Sequence, residues 1–285
     1  MIFVGPAGWS YKDWYGKVYP APKPKGFDEL AYIARYFDCV EVNSSFYAPL
    51  RAQQTRAWLE RTTHNPRFLF TAKLLGRFTH AREARWTREE VAAVTEPLQP
   101  LREAARLGAL LAQFPWSFRR TPENREWLAR LTEEFADFPL VVEIRHASWN
   151  TPEFFDSLRD RHVGFVNIDQ PPRTGIEPTD RVTAPVAYIR LHGRNLENWF
   201  RDDAGVNERY DYLYTSKELE PWRDRALQLE RESEQVFVIT NNHFEGKSVA
   251  NAAALQSQIA GNPVPVPATL LDAYREALEG FAAPD

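Results

Sequence analysis

Leu140 to Asp160 reads LVVEIRHASWNTPEFFDSLRD. The run to Arg145 is short and rich in β-branched residues, turning polar at Glu143 and Arg145. Thr151-Pro152-Glu153 then supplies a helix start: a capping hydroxyl, a proline at the first helical position and an acid in the first turn. A strand followed at once by a helix is the unit of a parallel sheet, because the right-handed crossover returns the chain beside its own strand. The unit recurs in both directions. Strand-like runs lie at Ile2 to Ala7, Cys39 to Asn43, Phe68 to Lys73, Ala109 to Phe114, Gly164 to Asp169, Val186 to His192 and Val236 to Asn241, making eight with the first. Between them, apolar residues fall at helical spacing, as in Phe27, Leu30, Ala31, Ala34 and Phe37, or Leu219, Trp222, Ala226 and Leu229. Thr121-Pro122-Glu123 repeats the helix start, and Thr87 with Glu90 and Thr215 with Glu218 read as capping boxes. Eight such units close most economically into an α/β protein of the TIM-like (β/α)8 barrel type, with an open doubly wound sheet as the other arrangement.

The pattern breaks once, at the sixth connection. Gln170 to Pro185 carries four prolines and no helical stripe, which reads as a structural belt or a lid. Arg201 to Tyr214, polar with interspersed aromatics, is a second candidate functional loop, and a short helix is expected at Thr269 to Leu278. The expected organisation is one barrel domain over residues 1–285, with its core in 2–260 and a C-terminal extension at 261–285.

Composition fits this reading. Of 285 residues, 44% are hydrophobic and 26% charged, enough apolar matter for a large packed core. No apolar run approaches the roughly 18 residues of a membrane span, and Met1-Ile2-Phe3-Val4 lacks the basic start of a signal peptide. The lone Cys39 cannot form an internal disulfide. These features point to a cytoplasmic protein with no membrane partner. A net charge of −4 gives no global attraction to nucleic acid, so any such binding rests on a local patch.

The polar residues are informative because they stand at the strand ends, where side chains two apart share a face. Glu41 pairs with Asn43, Thr71 with Lys73, Glu143 with Arg145, Asn167 with Asp169 and Arg190 with His192, while Gln113 and Asn241 stand singly. Buried charge is costly unless paired, so these residues are expected to converge on the C-terminal mouth, where barrel enzymes place their catalytic groups. A self-satisfied Arg–Glu network that merely closes the barrel top is the alternative. Trp9, Trp116, Trp149 and Trp199 follow strands and suggest an aromatic rim. His192-Gly193-Arg194-Asn195 and Asn241 to Ser248, after the seventh and eighth strands, suit an anion site at a helix start, although Gly246-Lys247-Ser248 lacks a P-loop's upstream glycine. No metal is expected, since His80, His146, His192 and His243 lie on different connections without ligand spacing; His64 and His162 read as surface residues.

Several motifs occur in order: Gly5 to Trp14 (GPAGWSYKDW), Glu41 to Tyr47 (EVNSSFY), Phe70 to Lys73 with Thr79-His80, Gln113 to Phe118 (QFPWSF), Glu143 to Trp149 (EIRHASW), Tyr188 to Gly193 (YIRLHG), and Asn241-Asn242 with Asn251-Ala252. This series resembles the YecE-like family, the domain-of-unknown-function family numbered seventy-two, over roughly residues 2 to 260. The resemblance implies a TIM-like barrel and no settled activity, and it carries over Glu143, Arg145, His146, Arg190, His192 and His80. One departure is that Pro6 and Ala7 stand where the family pattern has a hydroxyl or thiol residue followed by serine.

The expected function is that of an enzyme of hydrolase or isomerase type working without a cofactor on an anionic or polyhydroxylated substrate, such as a sugar phosphate or a nucleic-acid fragment. Lys73, Arg145 and Arg190 would hold the anion, Glu41 and Glu143 would act as acid and base, and His192 would exchange a proton near neutral pH. Asn43, His80, His146, Asn241, Trp9 and Trp149 complete the expected substrate contacts. The alternative is a non-catalytic protein that binds a nucleotide or single-stranded nucleic acid.

Overall fold

The structure, a computed structural model, describes residues 1–171, 178–199, 201, 203 and 205–285. Eight parallel strands form its centre: β1 (Ile2–Pro6), β2 (Cys39–Val42), β3 (Leu69–Lys73), β4 (Leu107–Gln113), β5 (Leu140–Glu143), β6 (Gly164–Asp169), β7 (Val186–Leu191) and β8 (Gln235–Thr240). Their order, β1-β8-β7-β6-β5-β4-β3-β2, brings the two ends of the sheet face to face. The seam is held by a parallel bridge between Ala7 and Glu41 and by the Gly8 N–H donating to the Glu41 carbonyl at 2.8 Å. Gly5 permits this approach, because a Cβ there would stand 2.0 Å from the Cys39 carbonyl oxygen. A TIM-like barrel results.

The helices begin where hydroxyl residues dictate. Thr87, Thr121, Thr151 and Thr215 each accept the N–H of the residue three further on, and Thr87 and Thr215 have reciprocal partners in Glu90 and Glu218. Parallel strands are buried on both faces. The outer faces pack against the helices, for example Ala187, Ile189 and Leu191 with Leu219, Trp222, Ala226 and Leu229. The inner faces, including Phe3, Cys39, Leu69, Ala109, Leu111, Val141, Val166, Ile168, Tyr188, Phe237 and Ile239, fill the barrel.

The inner set corrects one reading. In β6 the inward residues are Val166 and Ile168, so Asn167 and Asp169 point away from the lumen. Asn167 instead holds the sixth connection: its amide nitrogen donates to the Arg181 carbonyl at 3.0 Å, and its oxygen accepts from the Arg181 N–H at 2.8 Å and the Thr179 hydroxyl at 2.6 Å. That connection has no helix in residues 178–185; residues 172–177, where the belt-or-lid reading also falls, lie outside the described residues. After residue 260 the chain adds a short strand, Val264–Val266, paired in parallel with Ala282–Pro284, and helices at Ala268–Ala273 and Arg275–Leu278. Among the described residues no helix is long and apolar enough to cross a membrane.

Candidate functional site at the C-terminal mouth

The lumen ends in two polar layers. In the deeper one, Arg190 on β7 is 1% exposed and lies between two fully buried carboxylates. Its Nε and Nη2 donate to Glu41 Oε2 and Oε1 at 2.9 and 2.6 Å, and its Nη1 donates to Glu143 Oε2 at 2.6 Å. This bidentate geometry fits the planar guanidinium. Tyr188, one turn of the pleat deeper on β7, donates its hydroxyl to Glu41 Oε2 at 3.0 Å and meets Thr71 Oγ1 at 2.8 Å. Sequence reading passed over Tyr188, although its place two residues before Arg190 puts it on the same face.

Around this layer, Arg145 Nε donates to Glu143 Oε1 at 2.7 Å. His192 Nε2 lies 3.2 Å from the same oxygen, and the Asn241 amide nitrogen lies 3.0 Å from His192 Nδ1. This arrangement suits the tautomer with its proton on Nε2, donated to Glu143, while Nδ1 accepts from Asn241. Lys73 stands at the end of β3. Its Nζ donates to Gln113 Oε1 at 3.1 Å and lies 4.4 Å from the centre of the Phe46 ring. Among the described residues, no carboxylate lies within ion-pair distance of that amine.

Position and charge set the protonation states. Burial would raise the Glu143 carboxyl, but Arg190, Arg145 and His192 hold it well below the usual range, so it is ionised. Burial and the charge of Arg145 push His192 down to about 3 against the pull of Glu143, leaving a neutral imidazole. That departs from the expectation of a histidine exchanging protons near neutrality. Lys73 takes over this property: burial, Arg190 and Arg145 lower its amine to about 7, against the opposing influence of Glu41 and Glu143. His80 is held at about 4 by desolvation and by Lys73, Arg145 and Arg82. Arg190 is 1% exposed, with its donors turned to Glu41 and Glu143, so Arg145 and Lys73 are the cationic side chains nearer the mouth. Glu41 likewise serves Arg190 and Tyr188 with both oxygens.

The remaining expected residues separate into two groups. Asn43 sits at the mouth beside the Tyr11 hydroxyl, whose pKa burial pushes up to about 12. His80 reaches the mouth, its ring edge-on to Phe46 at 4.9 Å. His146 belongs to the outer rim, with Nδ1 2.8 Å from Ser148 Oγ and its ring 5.1 Å from Trp116. Trp149 corrects the aromatic-rim expectation: it is 3% exposed, stacks on Phe118, and spends its indole N–H on the Phe118 carbonyl at 2.7 Å. Trp9 is half-buried against the edge of Trp58, whereas Trp116 is 53% exposed. The Trp199 side chain lies outside the described residues, as do residues 202 and 204 of the second candidate loop.

The anion site expected after β8 is filled from within. Gly246, at φ 85°, opens the helix Lys247–Ala260. Asp13 accepts the Glu245 N–H at 2.6 Å, Trp14 and Val18 pack over Gly246, and Lys247 is ion-paired with Asp211. Asp169, outside the lumen, takes Arg194 in a two-pronged pair and the Tyr214 hydroxyl at 2.6 Å. Among the described residues no three His, Cys, Asp or Glu side chains gather as a ligand set for a metal ion.

Fold and mouth together define a (β/α)8 barrel protein whose strand ends carry a buried ion-pair centre with Lys73 beside it. The chain belongs to the family described as "Protein of unknown function DUF72", which matches residues 3–271. The UPF0759 protein YunF of Bacillus subtilis is 30% identical over 264 residues, covering 88% of this chain and 92% of YunF. The UPF0759 protein YecE of Escherichia coli is 31% identical over 190 residues, 62% of each chain. A crystal structure of a DUF72 family protein from Thermotoga maritima superposes with a TM-score of 0.77 at 34% identity, covering 90% of this chain and 97% of that one. The resemblance to the YecE-like family and the barrel it implied are thereby established.

Proposed function

We propose that this protein is an enzyme of hydrolase or isomerase type, independent of a redox cofactor, acting at its C-terminal mouth on a small anionic, polyhydroxylated molecule of the sugar-phosphate class. The observation that carries this reading is Lys73, whose amine burial and the neighbouring Arg190 and Arg145 lower to about 7, and which among the described residues has no carboxylate within ion-pair distance. A structural ion pair would have matched it. A group titrating near the working pH suits proton transfer to and from a substrate. Arg145 orients the anion; Glu143, His192 and Asn241 fix Arg145; Asn43 and Tyr11 offer hydrogen bonds to hydroxyl groups. Glu41, Glu143 and Arg190 act as the rigid support of the site, and its proton traffic runs through Lys73.

The experiment is a thermal-shift screen of sugar phosphates and nucleotides, followed by turnover assays on each hit. A ligand at about 100 times its Kd stabilises the native state by about 2.7 kcal/mol. Arg145→Ala should remove that shift, and Lys73→Met should keep the fold while turnover falls at least a hundredfold. Hits unaffected by Arg145→Ala would overturn the reading. A second reading, binding without chemistry, is favoured by the exposed Trp116, whose ring lies 5.4 Å from the Arg119 guanidinium and which can stack a base or sugar. Nucleotide binding that weakens steeply with salt and is lost in Trp116→Ala, with no turnover, would select it.

A further inference from the structure

We infer that Lys73 is a covalent nucleophile, and that the substrate is an aldehyde or ketone carrying an anionic group, held as an imine during the reaction. This deepens the proposed function and rests on its assignment of the mouth as the substrate site. The amine is bonded to a neutral partner, the Gln113 amide oxygen at 3.1 Å, so one hydrogen is engaged and the nitrogen lone pair stays available. It lies against the face of Phe46, which favours a cation on nitrogen whether ammonium or iminium. With the amine lowered to about 7 by burial, part of the population at neutral pH carries the free amine, the form that attacks a carbonyl. The lysine ends a barrel strand, on a rigid element whose neighbours Glu143 and Arg190 are fixed by ion pairs.

The chemistry balances without an oxidant or reductant. Lys73 Nζ bonds to the carbonyl carbon as the carbonyl π pair moves to oxygen. A proton passes from nitrogen to that oxygen, giving a carbinolamine. Its C–O bond then breaks, the hydroxyl leaving as water with the proton that nitrogen still carried, so amine plus carbonyl gives imine plus water. Taking up one proton makes the iminium, which draws electrons from the adjacent carbon and eases removal of a proton or cleavage of a carbon–carbon bond there. Arg145 holds the anionic end while this occurs.

The test incubates the full chain with sodium cyanoborohydride and, separately, dihydroxyacetone phosphate, glyceraldehyde 3-phosphate and pyruvate, then maps adducts by peptide mass spectrometry. With a fitting carbonyl compound, one adduct should form on the peptide bearing Lys73 at least ten times faster than on surface lysines. Lys73→Arg should abolish it while leaving the circular dichroism spectrum unchanged. Adducts spread over surface lysines alone, or none with any probe, overturn the inference. The broader reading fails separately: a probe giving a thermal shift that Arg145→Ala removes, yet no adduct, leaves the mouth as substrate site and rejects the imine, whereas loss of both rejects both.

Discussion

Arg190 divides its donors between carboxylates that arrive from opposite sides of the barrel, Glu41 on β2 and Glu143 on β5, and all three are sealed from water. Two carboxylates against Arg190 and Arg145 make a centre of zero net charge, which is how a barrel interior tolerates four ions. Removing one partner is far worse than removing the set, because it strands charge in a medium that cannot solvate it. Arg190→Met, close in length but uncharged, should therefore destabilise the fold by about 3–5 kcal/mol. The urea midpoint gives the measurement, and a loss below about 1 kcal/mol would mean that water reaches the carboxylates or that one of them takes up a proton from solvent. The individual charges were legible in the sequence, since each stands in an apolar strand with a polar neighbour two residues away. Their pairing was not, because Glu41 and Arg190 are separated by 149 residues and only barrel closure brings them together. For the same reason His192 reads as a neutral-pH switch in isolation and becomes a fixed neutral donor once the closed barrel buries it and sets Arg145 beside it.

Elements were legible to the extent that their signals are local. A threonine followed three residues on by a matching N–H specifies its own helix start, and all four threonines read this way do cap helices. The phase of β6 defeats the same approach. Phe165, Val166 and Ile168 place apolar groups on both faces, and a parallel strand buried on both sides offers no rule for choosing the inner one. Asn167 then looks like a mouth residue, whereas it anchors the connection that lacks a helix. The seam between β1 and β2 is similarly hidden, since Gly5 gives no hint of the Cys39 carbonyl that it admits. Gly5→Ala places a methyl against immobile backbone, so β1 and β2 must part. Overpacking of a core commonly costs about 1–3 kcal/mol, and this change should reach the top of that range. Hydrogen exchange should show the Gly8 N–H, bonded to Glu41, losing protection first; unchanged protection there would mean that the seam does not depend on the glycine.

Across the whole molecule, the buried charges tie stability to pH with a sign that can be worked out. His192 and His80 have native pKa values of about 3 and about 4, while an unfolded histidine stays near its ordinary value of about 6.5. Between these limits the unfolded chain binds protons that the native chain refuses, so stability falls as pH falls. Glu143 acts in the same direction lower down: its native carboxyl stays ionised below the range where the unfolded one protonates, so its contribution is also lost on acidification. Lys73 acts on the alkaline side. With a native value of about 7 against 10.5, it is charged in the unfolded chain and neutral in the native one between those limits, so its penalty is relieved as pH rises. The melting temperature should therefore fall on going from pH 6.5 towards pH 4, and more steeply below pH 4.5 as carboxylates join. His192→Asn keeps a polar side chain of modest size beside Asn241 but removes one titrating ring. Its urea-derived stability should start lower at pH 7 and decline less between pH 6.5 and pH 4.5, the slope shrinking by close to one proton. A parallel decline in the variant would place the His192 titration in the native state near its ordinary value, and with it a charged imidazole in the mouth at acid pH.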